Sequence, residues 1–150
     1  MRVILQRVQK AAVIINKQEK RKISNGLVVL LGIEEADGEE DIDWLCKKIV
    51  NMRIFEDTEE KMNLSLNDCN GDLLLVSQFT LHALTKKGNR PSFIKSAKPE
   101  ISIPLYESFC KKIKPLVNGH FETGEFGAYM EVKLINDGPV TIFMDSKNKI

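Results

Sequence analysis

The first sixteen residues, MRVILQRVQKAAVIIN (residues 1–16), show the period of two that is typical of β-strands. In an extended chain, alternate side chains project to opposite sides, which places Val3, Leu5 and Arg7 on one face. The continuation AAVIIN has a similar content of β-branched residues. The pattern predicts two paired strands at the start of the chain.

Three later runs also have the composition of strands. LVVLLGI (residues 27–33) is almost continuously apolar and predicts a central strand buried on both faces. DLLLVSQF (residues 72–79) predicts a second buried strand, whose apolar run stops at Ser77. In GAYMEVKLI (residues 127–135) small or apolar residues alternate with Tyr129 and charged residues, which indicates an antiparallel strand with one face toward solvent or a partner.

Two segments have helical periodicity. In residues 34–55, apolar residues recur at intervals of three and four, and acidic residues lie in the first turn, where the helix dipole favours them. A second helix is expected from Pro99 to about Val117, and Pro104 suggests a start nearer Ser102. The predicted fold is a single α+β domain, with a curved, largely antiparallel or barrel-like sheet and two main helices on one face.

The charge balance argues against nonspecific nucleic-acid binding by the whole chain but leaves a local polyanion contact open. A net charge of +1 gives the whole chain no field that would attract nucleic acid nonspecifically. Residues 86–98, KKGNRPSFIKSAK, carry five basic residues and no acidic residue. This segment is either a solvated basic loop or a local contact for a polyanion.

The cysteine pattern and the N-terminus suggest a cellular location. Cys46, Cys69 and Cys110 are odd in number and have no CxxC spacing, so we expect free thiols in a reducing compartment. The N-terminus lacks a continuous apolar signal core, and no apolar run reaches the roughly 20 residues needed to cross a membrane. We therefore expect a soluble, cytoplasmic protein without a membrane partner.

SQFTLHA (residues 77–83) is the first stretch whose residue types suggest chemistry. Ser77, Gln78, Phe79 and Thr80 bring hydroxyls, an amide and free backbone N–H groups to the end of a buried strand. The alternative is a strand end whose hydroxyls bond nearby backbone groups. His82 lies two residues after Thr80, but adjacency in a strand seldom gives the geometry of a catalytic triad.

Other catalytic arrangements are poorly supported. His120 is expected in a loop, and SFIK (residues 92–95) matches the SxxK pattern of penicillin-binding enzymes only in isolation, because Arg90-Pro91 predicts a loop and the companion motifs are absent. Two histidines and three isolated cysteines offer no metal ligands at chelating spacing, and no glycine-rich phosphate loop precedes a helix. No metal or cofactor is expected. The remaining chemistry is positioning and oxyanion stabilisation.

NDGPVT (residues 136–141) contains more than a hairpin needs. Asn-Asp-Gly alone would satisfy a tight turn, yet Pro139 fixes φ and removes a backbone donor. The cis form of the Gly138-Pro139 bond costs only about 0.5 to 1 kcal/mol. The arrangement is suited to aiming a backbone carbonyl.

Five motifs in fixed order closely resemble the D-aminoacyl-tRNA deacylases. The resemblance spans Arg2 to about Phe143 and implies one deacylase domain over residues 1–150. The motifs are MRVILQRV, MRIFED followed by KMNLSL, LLLVSQFTL, GNRPSF and TGEFGAYMEVKLINDGPVT. His82 and Leu84 depart from the small or polar residues expected after SQFTL.

The resemblance implies an activity and a homodimer without a cofactor. Family members remove D-amino acids, and also glycine, from the acceptor end of mischarged tRNA, here including glycine on tRNA(Ala). A Gly-cisPro dipeptide, matching Gly138 and Pro139, enters the partner subunit's site and excludes L side chains. Asn136 belongs to the same motif, and Arg7 matches the arginine that braces it.

The resemblance also implies roles for the remaining site residues. The backbone N–H groups of Phe79 and Thr80 receive the substrate carbonyl and its developing oxyanion, while Ser77 and Gln78 shape the pocket. The terminal ribose 2'-OH assists attack by water, although Thr80 is an obvious alternative nucleophile. At the terminal adenine, the matching positions in this chain are Phe126 and Met130, for which ordinary packing is the alternative.

Two other functions are considered. A nonenzymatic RNA-binding module would use residues 86–98 and exposed aromatic side chains, and its binding would weaken with salt. A serine or threonine esterase of small molecules would lose turnover when Ser77 or Thr80 is replaced by alanine. DNA is not an expected partner.

Overall fold

The computed structural model describes residues 1–150, which form eight β-strands, two α-helices and two short 3-10 turns. The 3-10 turns span Phe79–His82 and Lys114–Leu116. The other elements, in chain order, are β1 (Arg2–Ile15), β2 (Glu19–Ile23), β3 (Gly26–Gly32), α1 (Glu39–Asn51), β4 (Phe55–Glu56), β5 (Met62–Leu64), β6 (Asp72–Ser77), α2 (Pro99–Ile113), β7 (Phe121–Thr123) and β8 (Met130–Asp145).

β1 organises the sheet because it pairs with three strands. Along one edge it is antiparallel to β3 through residues 2–8 and to β2 through residues 11–15. Along the other edge it is antiparallel to β8 for almost its whole length. The parallel pairs β3–β6 and β6–β7 complete the six-stranded sheet, and β4 and β5 form a separate small hairpin.

The prediction of two paired strands within residues 1–16 is wrong, because β1 is continuous. Residues 6–10 contain no Gly, Pro, Asn or Asp to favour a turn. Register shifts against β8 between Gln6 and Lys10 mark bulges, which bend a strand instead of ending it. The bend carries the second half of β1 across the other face of β3 and β6.

The sheet has an apolar core on each face. On β3, Leu27 and Val29 belong to the larger core, which α1 and α2 cover. Val28 belongs to the smaller core, which the second half of β1 and the first half of β8 cover. The prediction that residues 27–33 form a strand buried on both faces is confirmed.

The Arg21 side chain connects β2 to β7, the two strands at opposite ends of the sheet order. On β2, Arg21 Nη1 donates hydrogen bonds to the backbone oxygens of Thr123 and Gly124, at 2.9 and 3.3 Å. The sheet is therefore almost closed and barrel-like. The predicted class, a single α+β domain with a barrel-like sheet and two helices, is confirmed, although the sheet is mixed rather than purely antiparallel.

Both helices lie within the predicted segments but are shorter than expected. The first occupies Glu39–Asn51 within residues 34–55, and the second ends at Ile113 rather than at about Val117. The α1 backbone begins after Gly38, whose N–H donates to Asp41 Oδ2 at 2.9 Å. The expected start of α2 near Ser102 is wrong. The Lys98 carbonyl already accepts the N–H of Ser102, so the first turn forms before Pro104. The helix ends at Ile113 because a 3-10 turn containing Pro115 follows.

The last strand begins later than expected. Residues 126–128 form a turn in which Gly127 has φ +78°, and β8 starts at Met130. The predicted alternation is nevertheless confirmed, because Ala128, Met130 and Val132 all pack against the smaller core.

The thiols are unpaired. Cys46 is buried, Cys110 is half-buried and Cys69 is exposed. Neither α1 nor α2 has the length and apolar composition that a membrane crossing requires.

Candidate active site

The 3-10 turn Phe79–His82 lies directly after β6, at the carboxyl end of the parallel pair β3–β6. It is fixed to β3 by the Gln78 N–H, which donates to the Leu31 carbonyl at 2.7 Å. The first hydrogen bond of the turn runs from the Leu81 N–H to the Gln78 carbonyl. The N–H groups of Phe79 and Thr80 precede that bond and are free of intrahelical partners, as at any helix start.

Side chains on both sides hold this turn. Gln78 Nε2 donates to Thr80 Oγ1 at 2.6 Å. Ser96 Oγ donates to the Phe79 carbonyl at 2.8 Å. Arg2 Nη1 donates to the Leu81 carbonyl at 3.0 Å. The turn therefore presents rigid backbone donors, and the Thr80 hydroxyl is paired with an amide rather than with a base.

A cavity of about 320 Å³ opens beside the turn. Ser77, Gln78 and Phe79 line one side of it, and Phe126 and Met130 line the other. The Phe126 ring also packs on Tyr106, with ring centroids 5.4 Å apart. The remaining walls are mainly apolar: Leu31, Ile33, Val76, Ala97, Ser102, Gly127, Ala128, Tyr129 and Val132. A mainly apolar cavity with a few polar groups is typical of a small-ligand site.

A four-residue bulge in β8, residues 137–140, forms the second group of predicted site residues. Asn136 pairs with Val8 and Thr141 with Gln6, so four residues of β8 stand opposite one residue of β1. Gly138 and Pro139 lie exposed at its tip, and the bond between them is cis. Asn136 Oδ1 accepts the Val140 N–H at 2.9 Å, which closes the base of the bulge.

Arg7 supports the bulge from below. It is only 4% exposed, and its Nε donates to the Asp137 carbonyl at 3.1 Å. Its Nη1 donates to the Ile54 carbonyl at 2.6 Å. Gly138 has φ +123°, and a Cβ there would lie 2.9 Å from Arg7 Nη2. Glycine is therefore required at this position both by the backbone conformation and by the available space.

The predicted residues thus form two separate groups within one chain. Ser77, Gln78, Phe79, Phe126 and Met130 share the cavity, with Thr80 beside it. Arg7, Asn136, Gly138 and Pro139 form the bulge and its support, and none of these four lines the cavity.

Sequence reasoning missed two contacts at the site. Ser96 holds the Phe79 carbonyl across 17 residues, and Arg2 holds the Leu81 carbonyl across 79 residues. The GNRPSF motif pointed to the segment before Ser96, but a hydroxyl three residues further on gave no signal of its own.

His82 belongs to the same turn but faces inward. It is 1% exposed, and neither ring nitrogen has a hydrogen-bond partner, so it does not contact the Thr80 hydroxyl. Burial lowers the pKa of His82, and the charge of Arg2 acts in the same direction. Interactions with the Gly32 backbone and Glu34 oppose the shift only in part. The imidazole is therefore neutral at pH 7.

The sequence model of one family, described as D-Tyr-tRNA(Tyr) deacylase, matches residues 4–145. A protein of Bacteroides thetaiotaomicron named D-aminoacyl-tRNA deacylase is 60% identical over 149 residues, which cover 99% of each chain. A Flavobacterium psychrophilum protein of the same name is 58% identical, again over 99% of each chain.

The chain belongs to the D-Tyr-tRNA(Tyr) deacylase family. The resemblance drawn from the sequence motifs is therefore confirmed.

Solved structures agree with this family assignment. A c-Myc DNA Unwinding Element Binding Protein is 37% identical, covers 97% of this chain and 98% of its own, and superposes with a TM-score of 0.88. A probable eukaryotic D-amino acid tRNA deacylase, 19% identical, covers 95% of this chain and 97% of its own with a TM-score of 0.81. The second likeness shows the deacylase fold at low identity.

His82 makes stability depend on pH. The unfolded chain binds a proton at this side chain near its ordinary pKa of about 6.5, whereas the folded chain resists protonation. The free energy of unfolding should therefore fall as pH drops below about 6.5, by up to about 1.4 kcal/mol per unit from this group. Urea unfolding between pH 7.5 and 5.5 measures this slope.

Two variants separate His82 from other groups in that measurement. His82→Leu should flatten the slope, whereas His120→Gln, which replaces the other histidine of the chain, should not reproduce this flattening. Equal slopes for wild type and His82→Leu would show that the buried imidazole is not responsible.

Proposed function

We propose that this protein hydrolyses the ester bond of D-aminoacyl-tRNA, releasing the free D-amino acid and the tRNA. The family supports this reaction, because relatives that are 60% identical carry the name D-aminoacyl-tRNA deacylase. The observation that carries it in this chain is the rigid turn of free backbone N–H groups beside a mainly apolar cavity. Such donors suit a carbonyl oxygen that becomes negative during ester hydrolysis.

In the proposed mechanism the turn acts through its backbone. The N–H groups of Phe79 and Thr80 hold the substrate carbonyl and stabilise the oxyanion that forms when water attacks. The Thr80 hydroxyl is bonded to Gln78, and no histidine is within reach to activate it. The 2'-OH of the terminal ribose, supplied by the substrate, assists the water, and no metal is required.

The cavity accommodates the terminal adenosine. Met130 and Phe126 contribute apolar surface to the cavity, and aromatic stacking on a base contributes about 1–3 kcal/mol. Ser77 and Gln78 line the cavity next to the turn. The aminoacyl ester then lies beside Phe79, which is 56% exposed.

We propose a homodimer in which the bulge of one subunit enters the site of the other. The bulge is exposed at its tip and firmly held at its base, yet it does not line its own chain's cavity. A cross-strand apolar row of Leu30, Ile4 and Phe143 is incompletely buried, and Phe143 is 51% exposed. A second copy that covers this row would bury it and bring the bulge to a cavity.

The proposed gate rejects substrates by exclusion. Backbone carbonyls at Gly138 and Pro139 would occupy the space that an L side chain needs, while a D side chain points elsewhere. Glycine has no side chain, so the gate also admits glycine mischarged on tRNA(Ala). The unpaired thiols and a charged-tRNA substrate support a cytoplasmic location.

A second candidate function is nucleic-acid binding without hydrolysis. It is favoured by the solved relative that is named for binding a DNA element. Binding alone requires no ester cleavage, so a hydrolysis assay separates the two functions.

The direct test compares D-Tyr-tRNA and L-Tyr-tRNA with purified protein, both without and with excess chelator. The proposed function predicts rapid loss of the D ester in both conditions, with the L ester decaying at its uncatalysed rate. Cleavage of neither ester in either condition would favour nucleic-acid binding. Cleavage of both would show a deacylase without the chiral gate, and inhibition by the chelator would contradict metal independence.

Two substitutions distinguish backbone from side-chain catalysis. Thr80→Ala keeps the backbone donor and should reduce kcat for D-Tyr-tRNA by less than about tenfold, whereas loss of an oxyanion donor typically reduces kcat about 10² to 10³-fold. Gly138→Ala should abolish the D over L preference, because its Cβ collides with Arg7 and Val140 at 2.9 Å.

A control tests whether a Gly→Ala change is harmful in itself. Gly38→Ala adds a Cβ that meets no atom within 4 Å and should leave the kinetics unchanged. If folded, dimeric Thr80→Ala is inactive, the threonine hydroxyl takes part in catalysis and the backbone mechanism is wrong.

A further inference from the structure

The basic segment of the sequence becomes part of a long loop attached to the active-site turn. Residues 83–98 connect that turn to α2 without a helix or a strand. Irregular loops of this length are uncommon in small domains and are usually functional. The loop is joined to the site by the Ser96 hydroxyl, which donates to the Phe79 carbonyl at 2.8 Å.

The loop has a defined shape close to the site. The backbone groups of Leu84 and Ser92 form two hydrogen bonds, of 2.8 and 3.1 Å, which close the segment between them into a hairpin-like lobe. At its foot, the Phe93 ring packs edge-on against Phe79, with centroids 5.0 Å apart. An aromatic pair, in which Phe79 is exposed and Phe93 is half-buried, therefore lies where the loop meets the mouth of the cavity.

The charges on this loop are uncompensated. It carries five basic side chains, all exposed, and none of them makes an ion pair: Lys86, Lys87, Arg90, Lys95 and Lys98. By contrast, Lys61, Lys112 and Lys147 elsewhere on the surface each contact a carboxylate. The loop itself contains no acidic residue. A polyanion is the natural complement of such a surface.

We propose that residues 84–98 bind the phosphates of the single-stranded acceptor end of tRNA, just before its terminal adenosine. This inference rests on the proposed function, which places that adenosine in the cavity. A strand leaving the cavity past Phe79 meets Phe93 first and the basic lobe next. The aromatic pair contacts a base and the lysines contact phosphates, the combination that single-stranded nucleic-acid sites use.

The chain provides a matched set of basic residues for comparison. Lys10, Lys22 and Lys133 lie on β1, β2 and β8, where they line a separate open cavity of about 840 Å³. They are also exposed and without ion pairs, but no hydrogen bond links them to the active-site turn. Replacing them removes the same charge from a different face.

The experiment uses two substrates and two triple variants. D-Tyr-tRNA carries the phosphates, and D-Tyr-adenosine has the same ester without them. For K86Q/K87Q/R90Q, kcat/KM should fall about tenfold or more for D-Tyr-tRNA in 0.1 M salt and stay within about twofold for D-Tyr-adenosine. A plot of the logarithm of the tRNA binding constant against the logarithm of the salt concentration should also become less steep. Its slope should decrease in magnitude by about 2, because each of the three lost single-strand phosphate contacts contributes about 0.7.

The other outcomes have distinct meanings. K10Q/K22Q/K133Q should behave as wild type on both substrates. Unchanged tRNA kinetics in the loop variant, equal losses on both substrates, or an equal loss in the control variant would each overturn the proposal. If the wild-type protein cleaves neither substrate, the proposed function fails instead.

Discussion

The buried guanidinium of Arg7 is the interaction on which the arrangement of the site depends. It donates to the Asp137 carbonyl at the base of the bulge and to the Ile54 carbonyl after α1, and it lies 3.5 Å from Glu56 Oε1. A buried charge is tolerated only when it is paired and hydrogen-bonded, so these partners constrain one another. One side chain therefore contacts both the bulge that contains Gly138 and the segment that follows α1, and it lies on β1 where that strand bends.

The proposed chemistry follows from backbone groups rather than reactive side chains. The turn after β6 offers N–H donors, the bulge offers carbonyls, and both are held by hydrogen bonds from Ser96 and Arg7. Because these backbone groups are already held in position, they do not have to reorient during the reaction, and no free energy is spent on reorganising them. In the proposed gate they also make no contact with the accepted side chain.

Local pattern accounts for most of what the sequence predicted. The periods of two and of three to four identified the buried strands and both helices, because each reflects burial of one face. The continuous β1, the joining of β2 to β7 by Arg21 and the inward-facing His82 depend on contacts between distant residues. Residue types drew attention to residues 77–80 and to Gly138-Pro139, and the motif resemblance supplied their expected roles. The structure added the cavity of one group and the Arg7-supported bulge of the other.

The central claim is that cavity and bulge form one site across two subunits, and mixed dimers test it most directly. Met130→Trp would fill the cavity, so its homodimer should be inactive. Gly138→Ala would displace the bulge, so its homodimer should cleave both D-Tyr-tRNA and L-Tyr-tRNA. A purified heterodimer of the two variants contains one intact cavity facing one intact bulge if the site is shared in a two-fold dimer. It should then cleave D-Tyr-tRNA at about half of the wild-type rate and leave L-Tyr-tRNA intact. A heterodimer that cleaves L-Tyr-tRNA as its Gly138→Ala parent does would show that each bulge serves its own chain.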